Sequence, residues 1–270
     1  MTRVSLAQLA DDLLAETCVV DDMLLSVSAS EWELPTPAAG WTIRDQVSHL
    51  AFFDEMAVLA ALAPDRFRKE AEKLMALGSD FPDQVAARYS AMPVPELTNW
   101  FRTARADLLL LLGELDGSHR VPWFGPDMSL ASSATARLME TWAHGLDIAD
   151  TLGAECVPTD RLRHIAHLGF RTLGFSFGLR GLDVPAEPVR VELEAPSGGT
   201  WEWGPPEAAN AVTGSALDFC LIVTQRRHLS ETDLVVRGPV AREWMSVAQA
   251  FAGAPGPGRE PVRTVVKEVS

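Results

Sequence analysis

The sequence predicts an α+β protein in which an antiparallel four-helix bundle precedes a smaller α/β domain. Before residue 155, apolar residues recur at helical spacing in four long segments, and loops rich in Trp, Pro and Gly separate them. After Pro185, short runs of β-branched and aromatic residues alternate with two more helical segments. We therefore expect the bundle at residues 1–155, a connecting helix with the α/β domain at 156–260, and a tail at 261–270.

Each bundle helix is predicted from its apolar spacing together with a residue type that starts or ends a helix. Ser, Thr and Pro favour helix starts, and Gly favours helix ends. The four predicted helices run from Ser5 to about Val27, over 43–63 after Thr42, over 93–115 before Gly117, and over 129–153 with Gly153 at the end. An irregular helical stretch around 66–90 lies between the second and the third.

The C-terminal half combines predicted strands and helices. A helix over 160–182 connects this half to the bundle, and the short loop 196–199 joins two extended runs as a hairpin candidate. The remaining predicted elements are strands at 189–195, 200–204, 211–213 and 233–236, and helices at 215–227 and 239–252.

Composition and charge exclude several classes of protein. A chain of 270 residues with 47% hydrophobic and 22% charged residues has the balance of a globular protein, not of a disordered or fibrous one. Its net charge of −14 repels phosphate backbones, so we expect no nucleic-acid partner. The sequence has three cysteines without a C-x-x-C pair, no signal-peptide pattern and no membrane-spanning apolar run. We therefore expect a cytoplasmic protein with no membrane partner.

Glu140 and His144 are the first candidates for chemistry. Residues four apart share one face of a helix, about 5–6 Å apart at Cβ, so both side chains reach one ion. His49, near the middle of the second predicted helix, is the best placed of the other histidines for a third ligand. Two imidazoles and one carboxylate suit zinc, nickel, cobalt, manganese or ferrous iron, and leave the open positions that a catalytic site requires. We expect Asp147 to accept a hydrogen bond from a ligand imidazole.

The same residues have a simpler interpretation. Arg137, Glu140, His144 and Asp147 form a continuous polar stripe that also describes a solvated helix face, with Arg137 and Glu140 as an ion pair. His49 lies among apolar residues, so a hydrogen-bonded core histidine is an equally ordinary outcome. Residue spacing alone leaves both interpretations open.

Other candidate residues carry less specific signals. His164 and His167 are three apart on the connecting helix, without a carboxylate or cysteine at ligand spacing between them. Ser215 precedes a helix start that either binds an anion or is an ordinary cap. Arg226 and Arg227 end that helix, where they either complement the helix dipole or hold a carboxylate. The sequence has no motif of serine hydrolases, NTPases, dinucleotide-binding folds or zincins.

Two segments together resemble a known family. "GWTIRDQVSHL" (40–50), followed by "METWAHGLDIAD" (139–150), is similar to the metal-binding domain of the mycothiol-dependent maleylpyruvate isomerases, a branch of the DinB/YfiT-like four-helix bundles. The stretch "VTGSALDFCLIVTQRRHLSETDLVVRGP" (212–239) resembles the α/β domain that accompanies that bundle. The segments "TQRRH", "VPWFGPDMS" and "TWEWGPP" resemble a distinct subgroup more than the isomerases themselves.

The resemblance implies a site and its partners. It implies a divalent metal, usually taken as zinc, held by His49, Glu140 and His144. It also implies mycothiol or a similar low-molecular-weight thiol as cofactor or co-substrate, and a contribution from Arg226 or Arg227 at the active site. The expected partners are that thiol and a small electrophile. We expect the protein itself to be a monomer or a homodimer.

We therefore predict a divalent-metal-dependent enzyme that uses such a thiol for S-transfer to, or isomerisation of, a small electrophilic metabolite. A thiol coordinated to a metal ionises, and the thiolate is the nucleophile. The metal alternatively polarises a substrate carbonyl. Two other functions stay open: a non-catalytic metal-containing protein that binds a small ligand, and a ferrous oxygenase, whose ligands are also two histidines and one carboxylate.

Overall fold

The computed structural model describes residues 4–256 and 258–261, which divide into two compact units. The first unit continues to Val157 and includes Ala252–Ala254, and the second comprises Pro158–Phe251 and the described residues from Pro255 onward. Helices make up most of the first unit, and the second contains a four-stranded sheet, which confirms the predicted α+β class. All but the first residue of the predicted tail, 261–270, lies outside the described residues.

The first unit contains the four long helices that the sequence predicts, together with two shorter ones. Its helices are α1 (Leu6–Leu25), α2 (Ile43–Leu62), α3 (Pro64–Met75), α4 (Phe81–Arg88), α5 (Val94–Glu114) and α6 (Leu130–Leu152). The stretch around 66–90, expected to be irregular, thus forms the two helices α3 and α4. In the bundle, α2 packs against α5 and α6, and α1 packs against the same two helices. A two-stranded ribbon of β1 (Arg120–Val121) and β2 (Met128–Ser129), which the sequence analysis missed, precedes α6.

The helix ends follow the residue types that predict them. Ser5 Oγ accepts a hydrogen bond from the Gln8 amide at 3.1 Å and caps α1. The Asp45 carboxylate accepts one from the amide of Thr42 at 2.8 Å and caps α2. Gly153 ends α6 with a φ of 65°, a left-handed conformation that costs glycine little. Local hydrogen bonds therefore determine where these bundle helices begin and end.

A buried ion cluster connects the four long helices. Asp54 on α2 is fully buried, and its two carboxylate oxygens accept hydrogen bonds from Arg105 Nε on α5 at 2.7 Å and Arg137 Nε on α6 at 2.9 Å. Arg105 also donates to Thr17 Oγ1 on α1 and, at 2.9 Å, to Thr141 Oγ1 on α6. All three charged side chains are at most 2% exposed, so the Asp54 carboxylate compensates both guanidinium charges where water does not reach them.

The second unit is built on a mixed four-stranded sheet. Its elements are α7 (Leu162–Arg171), α8 (Leu173–Leu179), β3 (Val189–Glu194), β4 (Thr200–Trp203), β5 (Asn210–Ser215), α9 (Ala216–Val223), β6 (Val235–Arg237) and α10 (Pro239–Val247). The strand order is β4-β3-β5-β6. The predicted hairpin of β3 and β4 is confirmed as an antiparallel pair, while β3 and β5 are parallel and β5 and β6 antiparallel.

Several predicted bounds in the second unit are wrong. The connecting helix, expected over 160–182, breaks at Thr172, whose hydroxyl donates to the carbonyl of Leu168 at 3.0 Å. The helix expected over 215–227 ends at Val223, because the chain turns back at Gln225 with a φ of 57°. The last helix, expected over 239–252, ends at Val247, and the strand expected at 211–213 extends over Asn210–Ser215.

No helix within residues 4–256 and 258–261 has the length and apolar character needed to cross a bilayer.

The ion cluster predicts a large and specific loss of stability. In Asp54→Asn the side chain keeps its shape, but two buried guanidinium groups lose their counter-charge, so we expect the free energy of unfolding to fall by about 3–5 kcal/mol. The matched control is Asp21→Asn, which removes the exposed Arg102–Asp21 pair and is expected to cost less than about 1 kcal/mol. Urea denaturation followed by circular dichroism measures both. Equal losses in the two variants would contradict the prediction.

Candidate metal centre

His49, Glu140 and His144 converge in the first unit. One donor atom from each lies within 4.8 Å of the other two. Glu140 Oε2 is 3.0 Å from His144 Nε2, one helical turn along α6, and 3.6 Å from His49 Nε2 on α2. The three side chains are between 9% and 19% exposed, so solvent still reaches a largely buried site. The fold thus brings together all three residues that the sequence predicts as ligands.

The solvated-face interpretation of α6 is wrong. Arg137, His144 and Asp147 are buried, and the Arg137 guanidinium pairs with Asp54 instead of Glu140. The polar stripe faces the interior of the bundle because α1 and α2 both pack against α6. His49 is likewise not a core histidine with satisfied hydrogen bonds, since its buried Nδ1 atom has no hydrogen-bond partner among the residues that the structure describes.

Gln46 determines the orientation of the His144 ring, and the sequence analysis missed it. Thr36 Oγ1 donates to the carbonyl of Trp41 at 2.9 Å and accepts from Gln46 Nε2 at 2.7 Å. The amide oxygen of Gln46 is therefore turned toward His144 Nδ1, which donates its proton there. Gln46 lies three residues before His49, so one face of α2 presents both a candidate ligand and the residue that orients another.

This hydrogen-bond chain makes the centre suited to a cation. A neutral His144 that gives its Nδ1 proton to Gln46 directs a lone pair from Nε2 at the Glu140 carboxylate, 3.0 Å away. Two acceptors face each other at that distance only when a proton or a metal ion lies between them. Two donors on one zinc ion are about 3–3.6 Å apart for metal–ligand distances of about 2.1 Å, and the observed separations of 3.0 and 3.6 Å agree.

The ionisation of the centre also suits metal binding. Burial, and the cost of placing a second positive imidazole beside His144, lower the pKa of His49 to about 4. Burial raises the pKa of Glu140, but the contacts of its carboxylate with the His144 and His49 imidazoles outweigh burial and hold the pKa well below its ordinary value. At neutral pH His49 is therefore neutral and Glu140 ionised, the forms in which these residues bind divalent metals.

Aromatic rings flank the imidazoles. The Trp41 ring stacks on His144 with centroids 5.8 Å apart and is tilted against His49 at 5.2 Å. Its indole Nε1 donates to Asp83 Oδ1 at 2.6 Å, which connects the loop before α2 to α4. Phe53, one turn after His49, contacts the His49 ring at 4.5 Å. These rings limit access of water to the donors.

The remaining candidate residues lie elsewhere or serve the fold. Asp147 is fully buried on α6, but the side chain that contacts His144 Nδ1 is Gln46. Arg226 and Arg227 belong to the second unit, in the turn after α9, where their Nη1 atoms donate to the carbonyls of Thr224 at 2.7 Å and of Arg226 at 2.8 Å. Their catalytic role stays a prediction.

The candidate residues Ser215 and His167 of the second unit have structural roles. The hydroxyl of Ser215 accepts from the Asp218 amide at 3.0 Å, so it is an ordinary cap of α9. His167, on α7, accepts at Nδ1 from the indole nitrogen of Trp203 at 3.1 Å. That hydrogen bond connects the helix to strand β4 within the unit.

Two family models match the chain. The model described as the mycothiol maleylpyruvate isomerase N-terminal domain matches residues 13–149, which include all three predicted ligands and Gln46. The model described as wyosine base formation matches residues 185–237 in the second unit.

Relatives and solved structures agree with the first match. Two uncharacterized proteins from two strains of Mycobacterium tuberculosis are each 48% identical over 248 residues, covering 92% of this chain and 96% of the relative. The crystal structure of the mycothiol-dependent maleylpyruvate isomerase has a TM-score of 0.57 at 17% identity, over 86% of this chain and 93% of its own. A point variant of that isomerase has a TM-score of 0.56 at 18% identity, over 83% of this chain and 90% of the variant's chain. The chain therefore belongs to the family of the mycothiol maleylpyruvate isomerase N-terminal domain.

Proposed function

We propose that the protein is a divalent-metal-dependent enzyme that uses mycothiol, or a similar low-molecular-weight thiol, for S-transfer to, or isomerisation of, a small electrophilic metabolite. The observation that carries the proposal is the convergence of His49, Glu140 and His144, with Gln46 holding the His144 ring. The family membership supports the choice of thiol, since its description and the titles of the similar structures name mycothiol.

His49, Glu140 and His144 would hold the metal, and zinc suits this donor set. When bound, a divalent cation there lowers the pKa of a thiol and polarises a carbonyl. Glu140 contributes a full negative charge to the centre. Gln46 selects the tautomer of the neutral His144 ring in which Nε2 carries the lone pair, and the rings of Trp41 and Phe53 keep water away, which strengthens the electrostatic interactions inside.

The reaction follows from thiol chemistry. The thiolate sulfur forms a bond to the electron-poor carbon of a double bond conjugated to a carbonyl, and the π electrons shift to the carbonyl oxygen to give an enolate. S-transfer is complete when the proton that the thiol lost is delivered to the carbon next to the carbonyl. Isomerisation results when the enolate rotates about the former double bond and expels the thiolate, which regenerates the double bond, and the thiolate then takes back the proton that the thiol had lost. We assign Arg226 or Arg227 a contribution to the active site, as a hydrogen-bond donor to the substrate or the thiol.

The first prediction concerns metal content. Protein purified without chelator and then loaded with zinc is expected to hold about one ion per chain, and His49→Ala and His144→Ala are expected to hold almost none, because two ligands seldom retain a divalent ion. The control is His119→Ala, which removes an exposed histidine of the same unit. Elemental analysis by mass spectrometry measures the content. A wild-type chain that takes up no divalent metal would refute the proposed centre.

The second prediction concerns Gln46. We expect Gln46→Leu to weaken zinc binding about 10–100-fold, because Nδ1 of His144 loses the acceptor that selects its tautomer. Gln46→Glu keeps an oxygen that accepts from His144 Nδ1, so we expect its zinc affinity to be much closer to that of the wild type than to that of Gln46→Leu. Competition with a fluorescent zinc chelator measures both affinities, and circular dichroism checks the fold. Equal affinities in the wild type and the leucine variant would contradict the role of Gln46.

The third prediction concerns the reaction. Zinc-loaded protein with mycothiol and a conjugated enone is expected to accelerate formation of the thiol adduct or of the geometric isomer, detected by mass spectrometry and by NMR. His144→Ala should reduce the rate to that of the uncatalysed reaction, and His119→Ala should leave it unchanged. Enone binding without adduct or isomer would indicate a non-catalytic binding protein instead.

A further inference from the structure

A cluster of aromatic rings extends outward from His49. We call it the aromatic patch; its members are Phe53, Phe67, Phe81, Trp123 and Phe124. Phe53, which contacts His49 at 4.5 Å between ring centroids, lies 5.6 Å from Phe124 and 6.3 Å from both Phe81 and Trp123. The patch is thus continuous with the metal centre through Phe53.

The patch combines a buried base with partly exposed rings. Phe53 and Phe67 are 6% and 0% exposed and form the base. Phe81, at the start of α4, and Trp123 and Phe124, between β1 and β2, keep part of their ring surface open to solvent. Trp123 stacks on Phe67 at 5.7 Å, and Phe124 lies 5.1 Å from Phe81. The open rings are therefore held in position by packing from below, as a preformed apolar binding surface requires.

The two helices that carry the candidate ligands offer little to bind a substrate with two carboxylates. Helices α2 and α6, both described over their whole length, each contain one arginine. Arg44 pairs with Glu33 at 2.7 Å, and Arg137 pairs with Asp54. Asp83, which accepts a hydrogen bond from Trp41, adds a negative charge on the side of the imidazoles where Trp41 lies. The chain as a whole has a net charge of −14. A dianionic substrate would therefore meet aromatic rings on these two helices, and it would find no unpaired guanidinium there.

We infer that the electrophile carries an aromatic or similarly flat apolar group, which binds against Phe81, Trp123 and Phe124 while its reactive carbon lies at the metal centre. The inference rests on the proposed function and names the substrate class of that site. Flat rings gain both buried apolar area and edge-to-face or stacked contacts on such a surface. The patch is thus a specificity determinant, separate from the metal ligands.

Binding of unreactive analogues tests the inference without turnover. The probes are benzylacetone and methyl propyl ketone, which share the methyl ketone group, and levulinate, which adds a carboxylate. Isothermal titration calorimetry should give benzylacetone an affinity about tenfold or more above the other two, the effect of one well-packed ring. Phe124→Ala should remove most of this preference. Phe175→Ala, the same change at a 45% exposed phenylalanine outside the patch, should retain it.

The reactive counterparts test the same inference in catalysis. Benzylideneacetone, ethylideneacetone and acetylacrylate are the corresponding enones, each compared with its own uncatalysed reaction with mycothiol. Phe124→Ala should lower kcat/KM for benzylideneacetone about tenfold or more and change the other two by less than about threefold. Phe124→Leu keeps apolar volume without a ring, so we expect its kcat/KM for benzylideneacetone to lie between those of the wild type and Phe124→Ala. This variant replaces Phe124→Ala in the test if the alanine variant does not fold.

The outcomes separate this inference from the proposed function. Preferential benzylacetone binding without any thiol adduct or isomer would retain the aromatic site and refute the enzyme. A different outcome is that acetylacrylate turns over at least as fast as benzylideneacetone, in both the wild type and Phe124→Ala. This result would support the proposed enzymatic function and refute the inference that the substrate is aromatic. Equal or undetectable binding of all three analogues would also overturn it.

Discussion

The buried contact between Asp54 and its two arginines is the interaction on which the bundle and its site depend. Asp54 lies on α2 five residues after His49, and Arg137 lies on α6 three residues before Glu140. Because unpaired charges in the interior are so costly, α2 and α6 have little freedom to slide or rotate against each other. The ion pair therefore fixes the distance between the histidine of one helix and the two ligands of the other. Arg105 and Thr17 extend the same restraint to α5 and α1.

The centre itself follows from a simple accounting of hydrogen bonds. His144 donates to Gln46, and Gln46 in turn donates to Thr36, so the neutral His144 ring directs its remaining lone pair at the ionised Glu140 carboxylate. This arrangement is poor for a protein interior without a cation and well suited to one that binds a cation. The aromatic rings around it add the apolar surroundings in which, under the proposed function, a thiolate and an electrophile would react with little competition from water. The first unit would thus provide both the candidate ligands and the proposed specificity surface.

The sequence was sufficient for the parts of the site that are local. Glu140 and His144 share a helix face by their spacing, and the helix bounds follow from Ser5, Thr42 and Gly153, because caps act within one turn. Gln46 could have been noticed as a polar residue at helical spacing from His49, but its amide points at His144 only because Thr36 and Trp41 orient it. The turn at Gln225 was missed for a similar reason: its neighbours in the sequence favour helix, but its side-chain amide donates to the carbonyl of Ala248, far along the chain.

By itself, then, the sequence determined the fold class and the four long helices, since apolar periodicity and capping are properties of short segments, and it singled out His49, Glu140 and His144 as candidate ligands. Only the tertiary structure decided whether the polar stripe of α6 faces water or the interior, and it faces the interior because α1 and α2 cover it. It also decided that Arg137 pairs with Asp54, that Gln46 holds His144, and that rings from four separate segments form the aromatic patch beside His49. These contacts join residues tens of positions apart, and their partners are chosen by packing and charge compensation among helices, which no local pattern records.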